Sequence, residues 1–270
     1  MANARTFTRN PNRKKYFMTK AIILSAGQGQ RLKPLTNDRP KGMVKVAGRT
    51  IIDRQLELFR KCGVTDIAIV KGFCAESVPD YGVRHHLNPE YAVTNMVFSL
   101  FCAAGELDSD TVIVSYGDIL YSGKVLKSLL DSPAPVSVVV DLEWKTFFTQ
   151  RFDNPYDDAE SLTMDAQRNI KSIGQTKPDP KNIEAQYIGL IKFDAAGLAA
   201  IRKVRDDVFG NEEPIGWGRP WRKAYMTDLL QELVHRGQTV KAVPIQGGWC
   251  EVDSPRDFAL AEGIITQFTA

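Results

Sequence analysis

The chain has 270 residues, of which 43% are hydrophobic and 25% are charged, so it can bury a sizeable core as one large domain or as a domain with a subdomain. Its 35 basic and 32 acidic residues leave a net charge of +3, too balanced for a protein whose binding rests on neutralising nucleic-acid phosphates. No apolar run approaches the length that spans a membrane. We therefore expect neither a nucleic acid nor a membrane among its partners.

The amino-terminal segment and the cysteines indicate where the protein resides. Residues 1–18 are polar and basic and lack the apolar segment of a signal peptide, so they predict a flexible basic leader. The cysteines are widely separated without a metal-binding spacing, which favours reduced thiols and a cytoplasmic protein; they are Cys62, Cys74, Cys102 and Cys250. We expect residues 19–270 to form a single domain.

From Lys20 onward, β-branched runs alternate with segments of helical spacing. Thr50 is a predicted N-cap, with an acidic residue three positions later. The pattern predicts strands at 20–24, 66–71, 83–87, 111–115 and 135–142, with helices at 51–62, 95–107 and 124–130. Such alternation predicts an α/β fold with a doubly wound, mostly parallel, Rossmann-like sheet flanked by helices.

The regular alternation ends after residue 142. We predict irregular chain around Trp144 and at 151–155, followed by a hairpin at 161–173 and a strand at 186–193. The remaining predicted elements are helices at 194–204 and 225–235, a strand at 238–244, and a helix that begins at Ser254 or Pro255. The region at approximately 143–225 is therefore predicted to be a β insertion within the single domain.

The loop after the first predicted strand carries small residues and fixed cations. It reads LSAGQGQRLKPLT at 24–36 and is closed by RPK at 39–41. Because side-chain bulk is missing at Ala26, Gly27 and Gly29, backbone N–H groups can approach an anion closely. Arg31 can bind phosphate oxygens through its fork, and Lys41 adds a compact charge. This combination predicts a polyphosphate site.

Two better-known phosphate loops do not fit these residues. A dinucleotide fingerprint requires a third glycine, and Leu32 occupies that position. A P-loop requires Gly-Lys-Ser or Gly-Lys-Thr five residues after its first glycine, and the loop has neither. Both classes of loop are therefore excluded.

Two aspartates are candidates for a metal site. Asp118 follows the strand predicted at 111–115, at the carboxyl edge where open α/β sheets bind ligands. Asp253 follows the last strand and could close on the same ion, because two hard oxygen donors suit Mg²⁺. Each also has a structural interpretation, a turn residue for Asp118 and a helix cap for Asp253. The Asp-X-Asp sequence at 108–110, typical of glycosyltransferases, precedes its strand, so we interpret it as a solvated turn.

The loop sequence resembles the signature LxAGxGxRLxPLTxxxPK of nucleotidyltransferases that make nucleoside-diphosphate sugars and CDP-activated small molecules. Ser25, where the family more often has alanine, is the only unusual residue in that string. The resemblance covers nearly the whole chain after Lys20. It implies that an acceptor phosphate attacks the α-phosphorus of a nucleoside triphosphate and releases pyrophosphate. It also implies Mg²⁺ as the cofactor on Asp118 and Asp253, with Arg31 on the β- and γ-phosphates and Lys41 between the α-phosphate and the acceptor.

Segments at 88–91, 94–100, 151–160 and 183–190 resemble the phosphocholine, phosphoglutamine and phosphonate cytidylyltransferase branch. This implies CTP as donor and a small phosphorylated or phosphonate acceptor with an amine or amino-acid group, used in cell-surface polysaccharide or phosphonate tailoring. The implied nucleotide contacts are Leu24, Ala26, Gly27, Gly29, Arg31, Asn95 and Ser99. Residues of both charge signs and aromatic rings favour acceptor binding by Lys41, Trp144, Arg151, Asp158, Glu184, Gln186 and Tyr187.

Two other functions remain open at this point. One is a sugar-1-phosphate nucleotidyltransferase that uses UTP or dTTP, and the other is a non-catalytic nucleotide-binding scaffold of the same fold. The scaffold is disfavoured because Arg31, Lys41, Asp118 and Asp253 are all present. The sequence also leaves a homodimer open.

Overall fold

The computed structural model describes residues 19–269, so the predicted leader at 1–18 lies outside the described residues. Within 19–269 the chain forms seven α-helices and fifteen β-strands. The helices are α1 (Ile51–Lys61), α2 (Met96–Cys102), α3 (Gly123–Asp131), α4 (Trp144–Arg151), α5 (Ala195–Asn211), α6 (Met226–His235) and α7 (Pro255–Ile264). The strands are β1 (Thr19–Ser25), β2 (Lys45–Val46), β3 (Arg49–Thr50), β4 (Asp66–Lys71), β5 (Arg84–Leu87), β6 (Thr111–Tyr116), β7 (Ile119–Tyr121), β8 (Val136–Asp141), β9 (Glu160–Met164), β10 (Ile170–Thr176), β11 (Gln186–Asp194), β12 (Pro214–Ile215), β13 (Arg219–Pro220), β14 (Val240–Ile245) and β15 (Trp249–Glu251).

Seven strands form the central sheet in the order β14-β8-β11-β6-β1-β4-β5. Neighbouring strands are parallel except where β11 pairs with β6 and β8, which it does antiparallel. The mostly parallel, Rossmann-like sheet predicted from the sequence is confirmed.

Helices cover both faces of the sheet because its central strands are apolar on both sides. In β1, Ile22 packs into a core with residues of α2, α5 and α6, whereas Ile23 packs on the opposite face with residues of α1 and α3. Successive strand side chains point to opposite faces, so a continuous apolar run of this kind supplies two cores at once.

The segment at 144–151 corrects one prediction, because it forms helix α4 instead of irregular chain. Trp144, Phe147, Phe148 and Arg151 fall at helical spacing, and all four pack inward. Because the last of these positions is an arginine, the hydrophobic pattern of the sequence does not show the buried side of this short helix. Two other helix boundaries also shift: α2 ends at Cys102 before a 3₁₀ turn at Ala104–Leu107, and α5 continues to Asn211.

The other predicted elements are present with small changes at their ends. Thr50 caps α1 by accepting a hydrogen bond from the Asp53 amide at 3.0 Å. The predicted hairpin is formed by β9 and β10. The four cysteines are free thiols, as predicted. Along residues 19–269, no helix has both the length and the apolar character needed to cross a membrane.

Gly197 gives a test of the packing between α5 and the sheet. A Cβ at Gly197 would overlap the carbonyl oxygen of Pro135, whereas a Cβ at Gly210 in the same helix would meet nothing. We expect Gly197→Ala to lower the free energy of unfolding by about 1–3 kcal/mol because backbone must move. Gly210→Ala should raise it, by up to about 1 kcal/mol, since alanine is the better helix former. Urea unfolding of both variants measures the difference, and equal effects would contradict the packing argument.

Candidate active site

A cavity of about 480 Å³ opens at the carboxyl ends of β1 and β6. This is the edge where parallel α/β sheets bind ligands. The lining residues are Leu24, Ser25, Ala26, Gly27, Gly29, Gln30, Arg31, Lys41, Tyr91, Thr94, Asn95, Met96, Ser99, Tyr116, Gly117, Asp118, Tyr225 and Asp253. All residues predicted to bind the nucleotide and all four predicted catalytic residues are therefore part of one cavity wall.

The glycine loop is held against Lys41. Gly29 has a φ of 60°, which favours glycine, and a Cβ there would lie 2.7 Å from the Lys41 Cγ. The buried Thr36 hydroxyl donates a hydrogen bond of 2.7 Å to the Gly29 carbonyl. Gly29, Thr36 and Lys41, which are not adjacent in the sequence, thus pack together in one compact turn.

The turn that carries Asp118 is fixed by hydrogen bonds to the backbone of β1 and to the side chain of Gln55. The Gly117 amide donates to the Leu24 carbonyl at 2.8 Å, and a Cβ at Gly117 would come equally close to that oxygen. The buried side-chain amide of Gln55 donates to the backbone carbonyls of Tyr116 and Ile119, at 2.8 and 2.7 Å. Gln55 was not predicted to support the site, because its position in a helix gives no sign of this contact.

A short antiparallel pair brings the distant carboxylates together. In this pair, β7 lies against β15 with Ile119 opposite Glu251, and the Val252 amide donates to the Asp118 carbonyl at 2.8 Å. Oxygen atoms of Asp118, Glu251 and Asp253 consequently lie within 4.8 Å of one another. Glu251 was not among the residues predicted from the sequence, although its position two residues before Asp253 in an extended segment places both side chains on one face.

Two cations lie among these carboxylates. The Lys41 Nζ is 2.7 Å from Asp118 Oδ2 and also contacts Asp253. Arg31 contacts Asp253 as well, although its own side chain is 60% exposed. Burial disfavours a charged ammonium, but attraction to Asp118, Asp253 and Glu251 outweighs it and raises the pKa of Lys41. Lys41 therefore remains a cation.

Burial also disfavours the charged form of Glu251. It raises the pKa of this carboxyl, although the neighbouring Arg151 acts to lower it. Three carboxylates with close oxygen atoms form the hard donor set that Mg²⁺ prefers, so the residues present fit a divalent ion. The predicted pair Asp118 and Asp253 would hold it, with Glu251 as a third candidate ligand.

The predicted nucleotide contacts on α2 also face the cavity. Asn95 is the N-cap of this helix and accepts a hydrogen bond from the Met96 amide at 2.9 Å. The buried Ser99 hydroxyl accepts from the Asn88 side-chain amide at 2.9 Å. These local hydrogen bonds fix the orientation of both side chains.

Most of the predicted acceptor contacts do not line this cavity. Trp144 is buried against Phe148 and Tyr156. Arg151, only 1% exposed at its side chain, donates to Asp257 Oδ1 at 2.9 Å and pairs with Glu251 at 2.8 Å. Through Glu251 and Asp257, Arg151 stabilises the segment that carries Asp253.

The other predicted acceptor contacts are also engaged within the protein. Gln186 accepts from the Glu160 amide at 3.1 Å and donates to the Glu160 carbonyl at 2.7 Å. Glu184 accepts from the Met164 amide at 3.3 Å, and Asp158 lies 3.6 Å from Arg31. Tyr187 packs its ring edge-on to Tyr116, with centroids 5.6 Å apart. Lys41 alone of the predicted acceptor residues lines the cavity.

The chain belongs to the family of MobA-like NTP transferase domains, whose model matches residues 21–188. It is a nucleotidyltransferase with the Rossmann-like fold of that family. Among curated proteins, it is 35% identical to the CTP:phosphoglutamine cytidylyltransferase of Campylobacter jejuni over 252 residues, which cover 88% of this chain and 96% of that protein.

Two further relatives are cytidylyltransferases from Streptococcus pneumoniae. A choline-phosphate cytidylyltransferase is 40% identical over 98 residues, which cover 35% of this chain and 43% of that protein. The solved structure of a CTP:phosphocholine cytidylyltransferase superposes with a TM-score of 0.69 at 23% identity, covering 92% of this chain and 99% of that chain. The second likeness concerns the fold.

The support from Arg151 can be tested through stability. Arg151→Met should lower the free energy of unfolding by about 3 kcal/mol or more, because it leaves the buried Asp257 carboxylate without its cation. Arg256→Met is the control, since Arg256 pairs with the fully exposed Asp153 and should change stability little. Urea unfolding curves give both values, and a neutral Arg151→Met would refute the structural role.

Proposed function

We propose that the protein is a cytidylyltransferase that transfers CMP from CTP to a small phosphorylated or phosphonate acceptor bearing an amine or amino-acid group. The observation that carries this proposal is the cavity in which a glycine loop, two cations and two carboxylates converge, with the Glu251 carboxylate close to that pair. The 35% identity to a phosphoglutamine cytidylyltransferase over most of both chains supports the choice of donor and acceptor class.

The proposed reaction needs alignment more than a protein nucleophile. An oxygen of the acceptor phosphate forms a bond to the α-phosphorus of CTP, and the bond to the oxygen bridging the α- and β-phosphorus breaks. Pyrophosphate leaves with that electron pair. Because the attacking oxygen is already anionic, no residue has to remove its proton, and charge neutralisation supplies most of the rate enhancement.

The residues of the cavity have distinct proposed roles. The backbone at Ala26, Gly27 and Gly29 approaches the nucleoside and its phosphates. Arg31 binds the β- and γ-phosphates through its fork, and Lys41 draws the α-phosphate and the acceptor phosphate together. A divalent ion held by Asp118 and Asp253, with Glu251 as a further donor, would neutralise charge on the phosphates.

The carboxylates give the first test of this function. Asp118→Ala and Asp253→Ala should each reduce pyrophosphate release by about 100-fold or more, because each removes a preorganised group at the reacting phosphates. Asp108→Ala is the control, since Asp108 is 74% exposed and lies before β6, away from the cavity. Thermal unfolding checks that the variants fold. Near wild-type turnover in either cavity variant would remove that aspartate from the site.

Donor choice gives the second test. A pocket that hydrogen-bonds one set of exocyclic groups leaves buried polar groups unpaired with any other base, so we expect CTP to be preferred over UTP, dTTP and GTP by about 100-fold or more. The measurement is the rate of pyrophosphate release with each of the four nucleoside triphosphates. Each donor is paired in turn with one acceptor: phosphocholine, 2-aminoethylphosphonate, phosphoglutamine or glucose 1-phosphate. Faster turnover of glucose 1-phosphate with UTP or dTTP would assign the chain to the sugar branch instead.

A further inference from the structure

The inserted region at 143–225 reaches the cavity through a single side chain. Of the residues that line the cavity, Tyr225 alone comes from this region. Its loop is tied to α2, since the Asn95 amide donates to the Arg222 carbonyl at 2.9 Å and the Val97 amide donates to the Ala224 carbonyl at 3.2 Å. Tyr225 is nevertheless 36% exposed, so its ring is available to a ligand.

Arg219 lies on the Tyr225 ring. Its guanidinium carbon is 4.7 Å from the ring centroid, within the range of a cation–π contact. Its Nε donates to Asp228 Oδ2 at 2.9 Å, and the same oxygen accepts from the Tyr225 amide at 2.8 Å. Asp228 is buried, and through these two hydrogen bonds it fixes the Arg219 side chain and the Tyr225 backbone.

This arrangement leaves the outer part of the guanidinium free. Nε donates to Asp228, and the two terminal nitrogens donate no hydrogen bond within residues 19–269. The Arg219 side chain is 35% exposed. Two parallel N–H donors held in a fixed orientation match the two oxygens of a carboxylate.

A carboxyl group, that of Glu160, also lies near Arg219. Burial raises the pKa of Glu160 to about 7, and Asp228 and Asp158 add to this effect, whereas Arg219 acts to lower it. Arg219 nevertheless forms no ion pair with Glu160. Arg219, with its exposed terminal nitrogens, is therefore a group of this region that can pair with a carboxylate of a ligand.

We propose that Arg219, positioned by Tyr225 and Asp228, binds the carboxylate of the acceptor, so that the enzyme selects phosphorylated amino acids over phosphorylated amines such as phosphocholine. This inference rests on the proposed cytidylyltransferase function and narrows its acceptor class. A phosphorylated amine leaves the fork unpaired and so forgoes its charge-assisted hydrogen bonds.

The test compares acceptors that differ by one carboxylate. O-phosphoserine and O-phosphoethanolamine form one such pair, and phosphoglutamine and its decarboxylated analogue form a second, all assayed with CTP. The wild-type enzyme should prefer the carboxylate member of at least one pair. Arg219→Met should lower kcat/KM for that member by about 10- to 100-fold, mainly through KM, and change the other member by less than about 3-fold.

Two further variants separate recognition from structural support. Arg219→Lys keeps the charge but loses the fork, so it should fall between wild type and Arg219→Met. Arg236→Met is the matched control, because Arg236 also donates its Nε to a carboxylate of α6, that of Glu232 at 2.7 Å, but its partners Glu232 and Asp207 do not line the cavity, whereas Arg219 packs on the lining residue Tyr225. It should leave both acceptors of each pair unchanged.

The possible failures are distinguishable. An equal loss for both members of a pair in Arg219→Met, or a wild-type preference for the members without a carboxylate, would overturn the role of Arg219 while CTP-dependent turnover upholds the proposed function. If CTP is not turned over with any acceptor, the proposed function fails and this inference fails with it.

Discussion

The mutual approach of the carboxylates of Asp118, Glu251 and Asp253 is the constraint on which the cavity depends. Like charges with oxygens within 4.8 Å disfavour each other's ionisation unless cations compensate them. Lys41 supplies that compensation by direct contact with Asp118 and Asp253, and Arg31 contributes at the exposed rim. The glycine loop is shaped around the stem of Lys41, so this loop and the carboxylates are joined through one lysine.

Much of the surrounding structure serves to hold this unit in place. Gln55 fixes the Asp118 turn from α1, and the β7–β15 pair fixes the Glu251–Asp253 segment against it. Behind that segment, Arg151 is enclosed by aromatic rings and pairs with Asp257, which in turn accepts from the Ser254 amide. Residues 143–225 therefore contribute to the site mainly through buried support, and of them Tyr225 is the residue that lines the cavity.

The two ends of the cavity wall are built differently. The end of the cavity at Lys41 is built from backbone and from charges that contact one another, so a change there disturbs several partners. The Tyr225 end is a loop whose side chains rest on one buried carboxylate, Asp228. Loops on a rigid scaffold accommodate new side chains more readily than sheet edges do. Acceptor choice can therefore change while the nucleotide chemistry stays the same.

The sequence by itself determined the parallel sheet, the glycine loop and the four charged residues Arg31, Lys41, Asp118 and Asp253, because local periodicity and short-range spacing encode them. It did not determine which distant segments meet. Trp144 and Arg151 look like ligand contacts in the sequence but are buried, and Glu251 joins the carboxylates only through the pairing of β7 with β15. Arg219 is oriented by Asp228 from a neighbouring helix. Burial and side-chain partners across such separations arise from tertiary packing, which no local pattern records.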